Sequence, residues 1–214
     1  MYSGGCEKQA VKASQSKRLK EILDTIAPQR VLLGHIRYAT VGKIREQNCH
    51  PFTGTDITGR QWTLIHNGTI YNAGKLVYTY SQRQGDTDSE AMFLHLLDIM
   101  NNAQKKAPLG AKERFDLVDS LVCKLAYRNK LNLMIYDGEL LYIHKNMEDT
   151  MQYRHLDSGI VFATTPLDKS VWHDVPTAQL TAYKQGELAF EGEKHGGIFE
   201  SHLQYVTVTD AMNI

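Results

Sequence analysis

Apolar positions recur with helical spacing early in the chain. Leu19, Ile22, Leu23 and Ile26 follow Ser14 at that interval and predict a first helix with a basic outer face. The run 30–38, Arg-Val-Leu-Leu-Gly-His-Ile-Arg-Tyr, is apolar and β-prone. It predicts a buried strand that leaves toward a loop at Thr40-Val41-Gly42. Residues 61–66 are bounded by Gly59 and by Asn67-Gly68, and predict a short strand ending in a tight turn. Thr87-Asp88-Ser89-Glu90 has capping-box spacing, followed by Met92, Phe93, Leu96, Leu97 and Met100 on one face. A further helix is predicted over 112–127, with Phe115, Val118, Leu121 and Val122 inward. The pattern then changes to hairpins: 131–136 and 140–144 around a primed turn at Asp137-Gly138, a strand over 159–165, a second hairpin over 180–190 broken at Gly186, and a late strand over 202–209.

Strands, then helices, then antiparallel strands, without βαβ alternation, predict an α+β fold with antiparallel sheets. No repeat, low-complexity tract or linker divides the 214 residues, so a single domain spanning 1–214 is expected. The 24 basic and 24 acidic residues balance, without the basic stripe of a nucleic-acid binder. The N-terminus lacks the features of a signal peptide, and no apolar run is long enough to span a membrane. Three cysteines, Cys6, Cys49 and Cys123, form neither a CxxC pair nor an even set, which argues against a disulfide framework or a zinc site. These features predict a cytoplasmic globular protein.

Three segments hold more demanding polar residues than a strand or a cap requires. In Gly34-His35-Ile36-Arg37-Tyr38-Ala39-Thr40, an arginine sits inside an apolar run, where its charge needs a partner. That partner is either an internal carboxylate or the carboxylate of a ligand, which the planar guanidinium fork suits. His66-Asn67-Gly68 is read either as a turn or as an oxyanion hole, the side-chain amide and an unhindered backbone N–H facing one developing negative oxygen. Gly85-Asp86-Thr87-Asp88-Ser89-Glu90 is read either as a capped helix start or as one that also turns a carboxylate toward an ammonium group. A free amino acid needs a fixed cation, a fixed anion and, for cleavage of its side-chain amide, oxyanion donors. Together the three segments supply that set.

In this order the segments resemble class II glutamine amidotransferases of the N-terminal-nucleophile hydrolase superfamily. The resemblance rests on GHIRYATVG (34–42), NCHPF (48–52), WTLIHNGTI (62–70) and GDTDSE (85–90), and more weakly on Asn132 with Asp137-Gly138 and on FATTPL (162–167). It extends from about Gly34 to about Leu188, and is closest to the small stand-alone members and to the γ-glutamyl hydrolase of ergothioneine synthesis. The family fold it implies is an αββα sandwich of antiparallel sheets. The implied ligand is L-glutamine or another γ-glutamyl amide, and the implied reaction needs no metal and no organic cofactor. Carried over by position, Arg37 binds the α-carboxylate with help from Thr40, Asp88 holds the α-ammonium, and Asn67 and Gly68 form the oxyanion hole. His66 is expected to be a structural neighbour, and Val41 stands where some relatives carry a histidine.

The family's nucleophile is a cysteine whose own free α-amine takes the thiol proton. Here Met1 precedes Tyr2, and the family's early strands have no counterpart, so the expectation is of a chain that starts late and lacks N-terminal strands. Cys6 is an alternative nucleophile only after processing. A Cys49–His50 dyad conflicts with the opposite directions of adjacent side chains on an extended segment. An unpaired sheet edge would leave the chain poorly soluble, or paired with another protein or with its own copies. Three functions follow: the glutamine-hydrolysing part of an amidotransferase, a non-catalytic glutamine-binding module, and, weakest, metal-assisted hydrolysis through His35, His50 and His66.

Overall fold

The computed structural model describes residues 5–37, 43–79 and 82–200. In chain order they form α1 (Lys17–Thr25), β1 (Phe52–Thr55), β2 (Gln61–Thr69), α2 (Asp88–Ala103), α3 (Ala111–Ala126), β3 (Lys130–Tyr136), β4 (Leu141–His144), β5 (Gln152–Leu156), β6 (Gly159–Ala163), β7 (His173–Asp174), β8 (Thr181–Lys184) and β9 (Glu187–Glu191). The late strand expected over 202–209 lies outside the described residues, as do Thr40 and Val41.

Side-chain alternation along the strands decides the layering. Six antiparallel strands form one sheet in the order β1-β2-β3-β4-β8-β9. One face presents Trp62, Leu64, Leu133, Ile135 and Tyr142 to Met92, Leu96 and Met100 of α2 and to Phe115, Val118 and Val122 of α3. The other face presents Met134, Leu141, Ile143 and Tyr183 to Tyr153 and Phe162 of the smaller sheet, whose order is β6-β5-β7. The result is a helix pair, a large sheet and a small sheet in successive layers, the antiparallel α+β architecture that the pattern predicts. Among the described residues no helix is long and apolar enough to cross a membrane.

The helices start where their caps are. The Ser16 hydroxyl accepts from the Leu19 N–H, and the Thr87 hydroxyl from the Glu90 N–H. The predicted capping box at Thr87 is only half formed: the Glu90 carboxylate reaches past the cap to the N–H groups of Gln84 and Gly85, each at 2.7 Å. α3 is tied to the β3–β4 loop through buried charge. Arg114 donates to Asp137 and to Glu139, each at 2.7 Å, and the Tyr142 hydroxyl donates to Asp137 at 2.9 Å. Asp137 also accepts from the N–H groups of Glu139 and Leu140, so this loop closes around an aspartate. Gly138, at the first central position between Asp137 and Leu140, has a φ of 85°, as a primed turn of the II′ type requires. The second hairpin is primed as well, with Gln185 and Gly186 at φ of 55° and 87°.

The strand expected over 30–38 is not present. Residues 31–37 are extended, with Val31, Leu33, His35 and Arg37 half-buried and Leu32, Gly34 and Ile36 exposed. The run is apolar and β-prone as expected, but it is not buried throughout, and a strand also needs a ladder. β1 pairs with β2 only as far as Phe52 opposite Leu64, and the segment touches β2 where His35 Nε2–H donates to the His66 carbonyl at 3.2 Å. The second correction concerns Asn67-Gly68, which is strand and not turn: β2 continues through both residues to Thr69, paired with β3.

Residues 192–199 strap the end of the described chain onto the large sheet. The Gly192 N–H donates to Leu180, the His195 N–H to Ala178 and the Phe199 N–H to Asn146. The Gly197 N–H donates to His195 Nδ1, which leaves His195 Nε2–H to donate to His144 Nε2 at 3.0 Å, and His144 Nδ1–H to donate to the Leu131 carbonyl at 2.7 Å. This chain of bonds requires both rings neutral. Burial, with His195 alongside, pushes the His144 pKa down from 6.5 to about 3. The unfolded chain therefore binds the extra proton below 6.5, and this part of the stability is full above that pH and lost as the pH falls toward 3. Melting temperature should be flat from pH 8 to 7 and drop steadily from 6.5 to 5, read by circular dichroism. Arg114→Ala, which strands the Asp137 carboxylate in the core, should cost roughly 3 kcal/mol or more in chemical denaturation at pH 7.5.

Candidate functional site

Three of the four sequence segments singled out above meet through specific contacts. The Asn48 side chain, fully buried, donates to Asp86 Oδ1 at 2.6 Å and accepts from the Asp86 N–H at 2.9 Å, fastening 48–52 to 85–90. Gly85 is required at this junction, because a Cβ would lie 2.4 Å from Asn48 Oδ1 and 2.8 Å from Glu90 Oε2. His66 fastens 62–70 to the same helix start. Its Nε2–H donates to the Lys130 carbonyl at 3.1 Å, so its Nδ1 accepts from the Ser89 hydroxyl at 2.9 Å. Buried on all sides, the ring is held neutral and below its usual pKa. With both nitrogens committed, His66 has no lone pair free to act as a base.

The segment 85–90 is then almost used up by its own architecture. Asp86 pairs with Asn48 and, at 3.0 Å, with Arg45. Thr87 caps α2, Ser89 holds His66, and Glu90 closes on Gln84 and Gly85. Asp88 is the exception. Its Oδ2 accepts the Ile70 N–H at 2.6 Å, and among the described residues its other oxygen accepts no hydrogen bond. Asp88 is half-buried at the N-terminus of α2, close enough to His66 for its charge to raise the affinity of that ring for a proton.

Gly68 lies in β2 opposite Leu131, and its missing side chain is a packing requirement: a Cβ would sit 2.0 Å from the Lys130 carbonyl and 2.5 Å from His66 Nε2. Beside it, Asn67 is exposed, and among the described residues its side chain makes no hydrogen bond. Arg37 is half-buried at the end of the extended segment, where its charge lowers the pKa of both His35 and His50. The His35 and His50 rings stand 4.1 Å apart, and burial with the neighbouring positive groups drives His50 down to about 2. The charge of Arg37 thus acts on His35 and His50 and that of Asp88 on His66, and the pKa of each of the three rings is lowered by burial. Thr40 lies outside the described residues. Among those described, no group of three or more His, Cys, Asp and Glu side chains could hold a metal ion.

The comparisons with known proteins bear on the same segments. The family model for class II glutamine amidotransferases matches residues 7–156. The chain belongs to the class II glutamine amidotransferases. It is 30% identical over 206 residues to a Haemophilus influenzae protein assigned provisionally to the glutamine amidotransferases, covering 83% of this chain and 69% of that one. A crystal structure from Pseudomonas aeruginosa with a similar provisional assignment superposes with a TM-score of 0.58 at 24% identity, over 66% of this chain and 64% of that one. A class II domain protein of Silicibacter pomeroyi superposes with a TM-score of 0.59 at 18% identity, over 89% and 86%. Both superpositions bear on the fold. Two further curated relatives are spanned over only 59% and 42% of their lengths.

Reasoning from sequence missed the Asn48–Asp86 clamp, although a buried asparagine next to a cis His50–Pro51 bond and an Asp-rich helix start were both visible as unusual polar residues. It gave Asn132 no role beyond a weak family likeness. The signal was there: Asn132 is the polar residue in an otherwise apolar strand, 131–135. Gly68→Ala should destabilise by roughly 1–3 kcal/mol through overpacking against Lys130 and His66, measured by urea denaturation, while Gly74→Ala, with open space at its Cβ, should change little.

Proposed function

We propose that this domain binds L-glutamine and presents its side-chain amide for hydrolysis to glutamate and ammonia. One observation carries the reading: among the described residues of 85–90, Asp88 alone retains a carboxylate oxygen uncommitted to the fold, and its charge acts on His66 while that of Arg37 acts on the neighbouring His35 and His50. An ammonium and a carboxylate on one amino acid would meet Asp88 and Arg37 respectively. Asn67 and the backbone N–H of Gly68 would receive the oxygen of the side-chain amide as it becomes negative, where preorganised donors are worth most. His66 positions this apparatus without exchanging protons, because its nitrogens are bonded to Ser89 and Lys130.

Hydrolysis of that amide needs a nucleophile beside Asn67 and Gly68, and in the chemistry implied by the resemblance it is a cysteine with its own free α-amine. The thiols of this chain are engaged elsewhere. Cys6 is exposed, with its thiol bonded to Thr53 and its pKa raised by partial burial, and Cys49 contacts the carbonyls of Gln9 and Arg45. Cys123 lies on α3, with its pKa also raised by burial. These contacts favour a second reading, in which residues 5–200 bind glutamine without cleaving it and turnover depends on a cysteine placed beside Asn67.

Isothermal titration with L-glutamine separates these readings from an unrelated function. Binding is expected, and Arg37→Lys should weaken it by about tenfold or more, since a point charge does not reproduce the two-pronged guanidinium contact. Absence of binding by the unmodified chain would sink the proposal, and an unchanged affinity in Arg37→Lys would remove Arg37 from the site. Ammonia release in the same sample distinguishes turnover from binding alone.

A further inference from the structure

β3 lies next to β2 with Asn132 directly opposite Asn67, so the two carboxamides share one face of the large sheet. They differ in burial. Asn67 is exposed, whereas Asn132 is 1% exposed, and among the described residues neither its Nδ2 nor its Oδ1 has a hydrogen-bond partner. A buried side-chain amide with both groups unsatisfied is rare in folded proteins, because each group loses its water without replacement. The rest of that strand shows how easily an apolar residue could have occupied the place: Leu131, Leu133 and Met134 flank it.

The neighbourhood is polar only in this band. One step beyond the pair Leu133–His144 along the β3–β4 ladder stands Lys145, fully buried and paired with Asp174 of the small sheet. Asp174 in turn pairs in register with Gln152, whose Oε1 also lacks a partner. Elsewhere the two sheets meet through Met134, Ile143, Tyr153, Phe162 and Tyr183. The Lys145–Asp174 pair is satisfied internally, but Asn132 is not, and it adjoins the proposed oxyanion position at Asn67.

We propose that Asn132 is a specificity-determining residue, whose carboxamide pairs with the side-chain carboxamide of the glutamine held at Asn67 and Gly68. Two primary amides are complementary: Asn132 Nδ2–H donates to the ligand's carbonyl, and Asn132 Oδ1 accepts from the ligand's N–H. A γ-carboxylate satisfies only the first of these bonds and leaves Oδ1 facing an acceptor, so the site prefers glutamine over glutamate and releases the product of hydrolysis. Asn67 stands beside Asn132 across the ladder, exposed and, among the described residues, with no side-chain hydrogen bond to hold it in place. The inference rests on the glutamine-binding reading above and adds to it the residue that distinguishes amide from acid.

The test is isothermal titration of the full chain and of Asn132→Leu with L-glutamine and, separately, L-glutamate, alongside thermal melts. The unmodified chain should prefer glutamine by about tenfold or more. Asn132→Leu should melt at the same or a higher temperature, because it removes two unsatisfied polar groups, yet bind glutamine about tenfold more weakly and lose the preference over glutamate. A merely structural role predicts the reverse, a lower melting temperature with affinity and preference unchanged, and that result overturns the inference while leaving glutamine binding intact. Asn132→Ala, which adds no bulk, serves if the leucine variant does not fold. Failure of both to fold would show that the amide is committed to the fold, and a chain that binds neither amino acid would remove this inference together with the reading beneath it.

Discussion

His66 donates to the Lys130 carbonyl and accepts from the Ser89 hydroxyl, so one neutral ring joins β2 to β3 and to the first turn of α2. Of the groups proposed for the site, Asn67, Gly68 and Asp88 are brought together by these two bonds. They set the level at which Asn67 faces Asn132 across the ladder, and they bring Asp88, one residue before Ser89, up to the end of β2 where it caps the Ile70 N–H. The same ring explains Gly68, since any side chain there would collide with it. A histidine in an active-site motif invites a catalytic role. Here the hydrogen bonds give it a different task, the alignment of a strand, a helix and a neighbouring strand at one point.

Around this point the fold distinguishes polar groups that serve the architecture from those left over. Asp56 shows the first kind: it accepts from the Trp62 indole, the Gln104 amide and the Thr58 hydroxyl, tying the β1–β2 hairpin to the end of α2. Asp137 does the same for α3 and the β3–β4 loop. Asp88 keeps one oxygen in reserve, and Asn132 keeps both of its polar atoms. Completely satisfied networks rigidify a core, and the unsatisfied groups beside them are those the proposed ligand would complete.

Much of the frame was legible from residue order. Helical spacing and the cap residues located α1, α2 and α3 within a residue or two, because these signals are local. Hairpins at 130–144 and 181–191 were legible for the same reason. Two readings failed where the outcome depended on a distant partner. Asn67-Gly68 looks like a turn until β3 is placed alongside to extend the ladder, and 31–37 looks like a strand until its neighbours are examined and no ladder is found. The site was legible as a set of residue types and illegible as an arrangement: which carboxylate of 85–90 has capacity to spare is decided by Asn48, Ile70 and Gln84, far apart in sequence.

The extended segment 31–37 gives the site two unequal walls. Asp88 rides on a helix cap and Asn67 on a laddered strand, whereas Arg37 ends a stretch whose residues 31–36 make no backbone hydrogen bond among the described residues. Backbone without such bonds opens at little free-energy cost. An amino acid entering between these walls would find its ammonium partner already fixed and its carboxylate partner adjustable. In the proposed site the backbone carrying Arg37 can shift with the ligand, so recognition at that end would be a matter of capture and not of fit.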